Sequence, residues 1–391
     1  MITLDALHHI LAFVLGIAAT ILFEFLKDRI VVSIRKWIAK RAILRYKQSQ
    51  VPSPHKDFPL FRIGNIQLPL ANILGSPGTP FLFDEVDISF RPEFIQARPD
   101  YPLELKAAQD FLFEHIAKIQ DLKKDEIADI MPRLDNIVQG HEQPGDKRGR
   151  LNIQLSLTTF GSLFTTNRSI DCKVIPARGL VAQLFKSISI RDAYCQKSET
   201  DLSQSLLANP PGVDVSIISR NVNQDPQNQF IIRRRSNQVL LFKDYYQVAA
   251  TGYLSLAHCD SKGVPNPFVT AITEAKQEVA DCLELTTADF KLIGIAVKWE
   301  DLHPGFYGYI ETGKSVAELL GDFRRDSYEG TLSAIPFDPL HVVKHIAGEK
   351  WHPVSALSAI SALLAFFPRA EVEAVAREVP AKSLRSYFEE C

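Results

Sequence analysis

The sequence predicts a mixed α/β protein: one membrane-crossing helix at the N-terminus, then an α+β body that ends in an α/β layer structure. Three observations lead there. An uncharged apolar run stands near the start, from Ala6 to Phe23. After residue 210, strand-like runs, one long helical stretch, more strand runs and a closing apolar helix follow one another, the order expected of a mixed α/β body. The helical stretch, Pro267 to Leu283, carries carboxylates about one turn apart.

The apolar run has 18 residues without Asp, Glu, Lys or Arg. At ~1.5 Å per residue it covers most of a ~30 Å hydrocarbon core. The first nine residues hold Asp5 and no Lys or Arg, unlike the basic start of a cleaved signal peptide. Basic residues follow the run instead: Lys27, Arg29, Arg35, Lys36, Lys40, Arg41, Arg45 and Lys47. That bias places the rest of the chain in the cytoplasm. Residues 1–28 are therefore expected to be a single-pass helix in the cell inner membrane. Residues 29–50 are expected to form a basic juxtamembrane helix suited to an anionic lipid surface.

The 391 residues carry a formal net charge of −2, so the body has no global bias toward nucleic acid. The five cysteines, Cys172, Cys195, Cys259, Cys282 and Cys391, form no CxxC pair, and an odd count in a cytoplasmic chain argues against a disulfide framework. His258, Cys259 and Asp260 are adjacent, but no second ligand pair stands nearby at zinc spacing.

Residues 51–205 read as an N-terminal α+β extension with no legible motif. Proline and glycine are dense to residue 103. Leu105, Ala108, Leu112, Ile116 and Ile119 then predict a helix from Leu103 to Met131, limited by Pro132. A polar loop, Gly140 to Arg150, precedes an alternating strand, Leu151 to Leu157. Residues 206–370 form the next expected domain. Its strands are Gly212–Ser219, Phe230–Ile232 with Arg233, Arg234 and Arg235 at its end, Tyr246–Leu256, Leu292–Trp299, Phe306–Glu311 and Ser333–Phe337. Its helices are Pro267–Leu283 and Val354–Phe367, the latter too short to span a bilayer. Residues 371–391 read as a C-terminal tail.

The order strand (VAATGYLS), loop, acidic helix (AITEAKQEVA) resembles the Nudix superfamily, whose members hydrolyse nucleoside diphosphates linked to another moiety. The resemblance covers roughly residues 205–370 and implies a Nudix-like αβα sandwich. In that family, helix carboxylates one turn apart converge on divalent cations that clamp a pyrophosphate. The box departs from the family pattern. One register, counted from Gly263, puts Val269 at the first Glu, Gln277 at the Arg, Glu278 after it, Asp281 and Cys282 at the paired acids and Glu284 at the closing Gly. A register shifted by four puts Thr273 at the Arg, Glu274 after it, Gln277 and Glu278 at the paired acids and Ala280 at the Gly. Both keep Glu278, and helical spacing puts Glu274, Glu278 and Asp281 on one face.

If the domain is active, the resemblance implies a pyrophosphohydrolase with Glu278 and Glu274 as catalytic residues and Glu274, Glu278 and Asp281 as Mg²⁺ ligands. The alternative is an exposed acidic face. Arg233, Arg234 and Arg235 are candidate phosphate ligands, with alternation turning Arg234 away from its neighbours. Tyr246, Tyr253 and Phe306 are candidates for contact with the ligand, each with core packing as its alternative. A membrane helix joined to a degenerate Nudix-like domain is similar to membrane effectors of bacterial cyclic-oligonucleotide antiphage signalling. That likeness implies a nucleotide second messenger as ligand, self-association into a homo-oligomer, and action on the lipid bilayer. Two alternatives stand beside it: a membrane-tethered Mg²⁺-dependent hydrolase of a nucleoside diphosphate derivative, and a non-catalytic scaffold.

Overall fold

The computed structural model describes residues 57–103, 128–140, 149–171, 189–195, 200–220, 227–239, 242–321, 329–382 and 384–387, together with positions 54, 105, 106 and 109. They form a mixed α/β structure with two sheets. The larger sheet has the strand order β1-β2-β10-β11-β6-β7-β12, with β8 paired to β7 and β9 paired to β6. Its strands are β1 (Leu60–Ile63), β2 (Ile66–Gly75), β6 (Gly212–Ser219), β7 (Gln229–Arg235), β8 (Tyr246–Val248), β9 (Ala250–Tyr253), β10 (Phe290–Lys298), β11 (Pro304–Thr312) and β12 (Gly330–Pro336). Only β11 and β6 run parallel; every other pair in this sheet is antiparallel. The smaller sheet has the order β3-β5-β4, from β3 (Val86–Phe94), β5 (Leu151–Thr159) and β4 (Ile130–Gln139).

Seven α-helices lie among the described residues: α1 (Phe160–Thr165), α2 (Ile190–Tyr194), α3 (Pro267–Glu278), α4 (Val316–Gly321), α5 (Pro339–Gly348), α6 (Pro353–Phe366) and α7 (Arg369–Glu378). The large sheet buries both faces. Alternation along β6 sends Val213, Val215 and Ile217 into one apolar layer with Phe268, Ala271 and Ala275 of α3. Ile218 and its neighbours on β7 and β11 meet a second layer made by α5, α6 and α7. Leu134, Leu151, Ile153 and Leu155 of the small sheet join the first layer, so the two sheets share a core.

None of these helices is long and apolar enough to cross a membrane. This corrects the expected fold class and the inner-membrane localisation as far as the described residues go: they hold no helix long and apolar enough to cross a membrane. The most apolar described helix, α6, has 14 residues, about 21 Å by the helical rise. It spends its apolar surface on the sheet, with Val354, Leu357, Ile360 and Leu363 all buried. The helices expected over residues 1–28 and 29–50 lie outside the described residues.

Several elements differ from their sequence readings for local reasons. Pro132 does not end a helix: it sits inside β4, paired with Leu157. β4 is an edge strand, where a residue without an N–H is tolerated. Most of the helix expected over 103–131 lies outside the described residues. The strand expected over 246–256 is two strands, because β8 pairs with β7 and β9 with β6. β1 and β2, from the segment without a legible motif, complete the large sheet through β2 and β10.

The turn between β10 and β11 is clamped from the N-terminal segment. Arg191 donates to the Trp299 and Glu300 carbonyls at 2.8 and 2.9 Å and forms a bidentate pair with Asp171. Asn167 donates to the Asp301 carbonyl at 3.0 Å. Below it, Asp301 Oδ2 meets Lys298 Nζ at 3.2 Å and Arg168 Nη1 at 3.3 Å. Lys298 and Asp301 are each 2% exposed, so the segment and the sheet are joined through buried charge.

Candidate functional site

The acidic helix and the arginine-rich strand meet on one face of the large sheet. α3 starts where the sequence directs it: the Asn266 side chain accepts from the Phe268 amide and Pro267 takes the first turn. It ends at Glu278, with Val279 as its C-cap. Glu274 and Glu278 therefore stay one turn apart on the helix. Asp281 falls in the turn beyond, exposed to solvent, so it leaves the face it was expected to share.

Alternation along β7 decides the arginines. Arg233 and Arg235 point toward α3, and Arg234 points away. Arg234 is exposed and lies 3.7 Å from Asp244. Arg233 is fully buried. Its Nη2 donates to the Glu278 carbonyl at 2.6 Å, and its Nη1 lies 3.6 Å from Glu278 Oε1. Glu278 Oε2 accepts from the Thr251 amide at 2.7 Å. Thr251 Oγ1 accepts from Gln247 Nε2 at 3.1 Å, and Gln247 Oε1 accepts from Arg235 Nη1 at 2.9 Å. Arg235 in turn lies 3.8 Å from Glu329. One polar chain thus runs from a closed end at Arg233 and Glu278 to a solvent-facing end at Arg235 and Glu329.

Gly252 makes room for the second carboxylate. A Cβ at that position would stand 2.2 Å from Glu274 Oε1. Burial pushes the Glu274 carboxyl up to about 8, with Glu278 and Glu329 adding to the effect. Burial also pushes Glu278 up to about 7, against the pull of Arg233 and the Thr251 amide. At neutral pH the pair holds a proton more readily than ordinary carboxyls do.

The remaining candidates lie elsewhere. Phe306 is a core residue with no exposed surface. Tyr246 packs on the opposite face, stacked on Trp351 with centroids 6.2 Å apart and edge-on to His345. Tyr253 sits at the far end of β9, its ring 5.5 Å from His303 and 6.5 Å from Phe160. The site also uses Gln247, Thr251 and Glu329, none of which sequence reading singled out. Gln247 and Thr251 lay inside a strand run read only for its pattern, and Glu329 in a loop with no motif.

The residues do not fit a Mg²⁺ cluster of the expected kind. Hard divalent cations need several deprotonated oxygens around one point. Here Asp281 is absent from the face, and Glu278 is buried, faces the Arg233 guanidinium and accepts from the Thr251 amide. Among the described residues, no group of three or more His, Cys, Asp or Glu is placed to hold a metal ion. No protein-family model matches this chain, and no curated protein matches it.

Proposed function

We propose that this chain is a nucleotide-binding sensor that recognises its ligand on the face of α3, β7 and β9 without metal-dependent hydrolysis. The observation that carries the reading is Arg233 against Glu278. An internal guanidinium stands beside the carboxylate that a catalytic helix of this type would turn toward a cation, and it also binds the helix's terminal carbonyl. The positive end of the polar chain open to solvent is Arg235, whose planar donor set suits a phosphate oxygen. Cyclic di- and trinucleotides and nucleoside diphosphate sugars are the ligands to try, since each presents phosphate oxygens to a guanidinium. Ligand-driven self-association is its expected output.

The test uses the full chain. Its melting temperature is measured with cyclic di- and trinucleotides, nucleoside diphosphate sugars and Mg²⁺, alongside assays of turnover and of sedimentation. The reading expects a rise with a nucleotide, no Mg²⁺-dependent turnover, and loss of the rise in Arg235→Ala. Mg²⁺-dependent hydrolysis that disappears in Glu278→Gln would overturn it in favour of an enzyme. No response to any nucleotide would overturn it in favour of a scaffold.

A further inference from the structure

The small sheet carries a polar cleft, far in sequence from α3. Two β-bulges open it at one level of the central strand β5. On one side, β3 places Phe90 opposite Leu155 and Phe94 opposite Leu157, so Arg91, Pro92 and Glu93 stand against the single residue Ser156. On the other side, β4 pairs Leu134 with Leu155 and Asn136 with Gln154, which leaves Asp135 as an extra residue. Bulges re-aim side chains and are enriched beside functional sites. The result is a cleft of about 630 Å³ counting its open mouth, lined by Arg91, Glu93, Arg98, Asp135, Asn136 and Gln154.

Its wall is built. Arg133, 1% exposed, lies behind the cleft and donates to the Leu207 and Ser205 carbonyls at 2.9 and 2.6 Å and to Asp135 Oδ1. Ser156 donates to the same Asp135 oxygen at 2.9 Å. Asp135 Oδ2 holds Arg98 at 3.1 Å, which fixes that guanidinium at the mouth. The Asp135 carboxylate is thereby fully engaged from within. Arg91, Glu93 and Gln154 point outward from their strands as exposed residues. Donors therefore converge from all three strands, beside one exposed carboxylate, and the lining has no aromatic ring for a base to stack on.

We propose that this cleft binds a phosphorylated sugar or polyol, with Arg91 and Arg98 holding the phosphate and Glu93 accepting from sugar hydroxyls. Guanidinium groups suit phosphate oxygens because they present paired donors in a fixed plane. A carboxylate that accepts hydroxyl hydrogen bonds gives such a ligand an advantage over bare phosphate. The site is independent of the polar chain at α3, and its ligand need not be the same molecule.

Isothermal titration of the full chain with ribose 5-phosphate and, separately, with inorganic phosphate tests the assignment. Saturable binding of ribose 5-phosphate is expected. Arg91→Ala should weaken both ligands at least tenfold, and Arg91→Lys should weaken them less. Glu93→Gln should weaken ribose 5-phosphate several-fold and leave inorganic phosphate within twofold. Arg235→Ala should change neither, which separates this site from the sensor site. Unliganded melting temperatures of the Arg91 and Glu93 variants should match the parent, since both side chains are exposed. No saturable binding of either probe, an Arg91→Ala affinity within twofold of the parent, or equal effects of Glu93→Gln on both probes would each overturn the proposal.

Discussion

One guanidinium, that of Arg233, holds both ends of Glu278: the backbone carbonyl at 2.6 Å and the side-chain carboxylate at 3.6 Å. The carbonyl belongs to the last turn of α3, where a positive group also meets the negative end of the helix dipole. Glu278→Gln removes the carboxylate that faces a fully buried guanidinium unable to shed its charge, and should cost about 3 kcal/mol or more. Arg233→Ala should cost less, because burial already favours the protonated form of Glu278. A double-mutant cycle in urea should give a coupling above ~1 kcal/mol. Additive single effects would remove Arg233 from its assigned role.

The raised Glu274 carboxyl makes stability depend on pH in a definite direction. An ordinary unfolded glutamate releases its proton near 4.5, whereas Glu274 holds it to about 8. Its contribution is therefore fully present below about 4.5 and lost as pH rises through about 8. Glu274→Gln should raise the melting temperature at pH 8.5 by roughly 2–4 °C and change it little at pH 5. Gly252→Ala pushes a methyl group into the space of the Glu274 carboxyl and should displace it toward solvent, weakening the same pH dependence. Parallel pH profiles for parent and both variants would contradict this account.

The buried charges under the β10–β11 turn predict the opposite slope. Burial, with Lys298 nearby, pushes the His303 imidazole down to about 3. The unfolded histidine takes a proton near 6.5 and the folded one does not, so this stabilisation is lost as pH falls from about 6.5 toward 3. His303→Gln should flatten the acid side of the stability profile measured by urea unfolding. An unchanged acid slope would show that another group sets it.

Asp301 is held by charge rather than by shape. Burial raises its carboxyl, but Lys298, Arg168 and His303 together hold it well below the usual carboxylate range. Asp301→Asn should leave Lys298 and Arg168 facing each other in the core and cost about 3–5 kcal/mol in urea unfolding. Because Arg168 belongs to the N-terminal segment, limited proteolysis should then reach that segment earlier than in the parent. A loss under 1 kcal/mol would mean that the turn is held by Arg191 and Asn167 instead.

Gly330 opens β12 with φ +133°, and a Cβ there would stand 2.1 Å from the Arg234 carbonyl oxygen. Gly330 pairs with Arg235 in the ladder. Gly330→Ala should therefore cost roughly 2 kcal/mol or more and loosen the strand that aims Arg235. A melting temperature unchanged within 1 °C would rule out that close approach.

Much of the local structure was legible because its causes are local. The strand at 212–219 follows from an apolar run broken by turn residues, and α3 begins where Asn266 and Pro267 supply a cap and a first turn. The alternation of Arg233, Arg234 and Arg235 put two on one face and one on the other before any fold was known. The site around them was less legible. Helical spacing alone carried Asp281 onto the acidic face, but the helix stops at Glu278. Aromatic residues near the strands suggested ligand stacking, but Phe306 and Tyr246 are committed to packing.

The sequence by itself determined the strands and helices whose patterning repeats over a few residues. Tertiary structure alone decided that β1 and β2 complete a sheet with strands more than two hundred residues away. It also decided where the most apolar described helix goes: α6 is buried against that sheet. The fate of Glu278 belongs to the same class. Its spacing on the helix is a property of the chain, but its charge state and its partner depend on burial and on Arg233, 45 positions away. Those are set by which surfaces meet, and no local pattern records that.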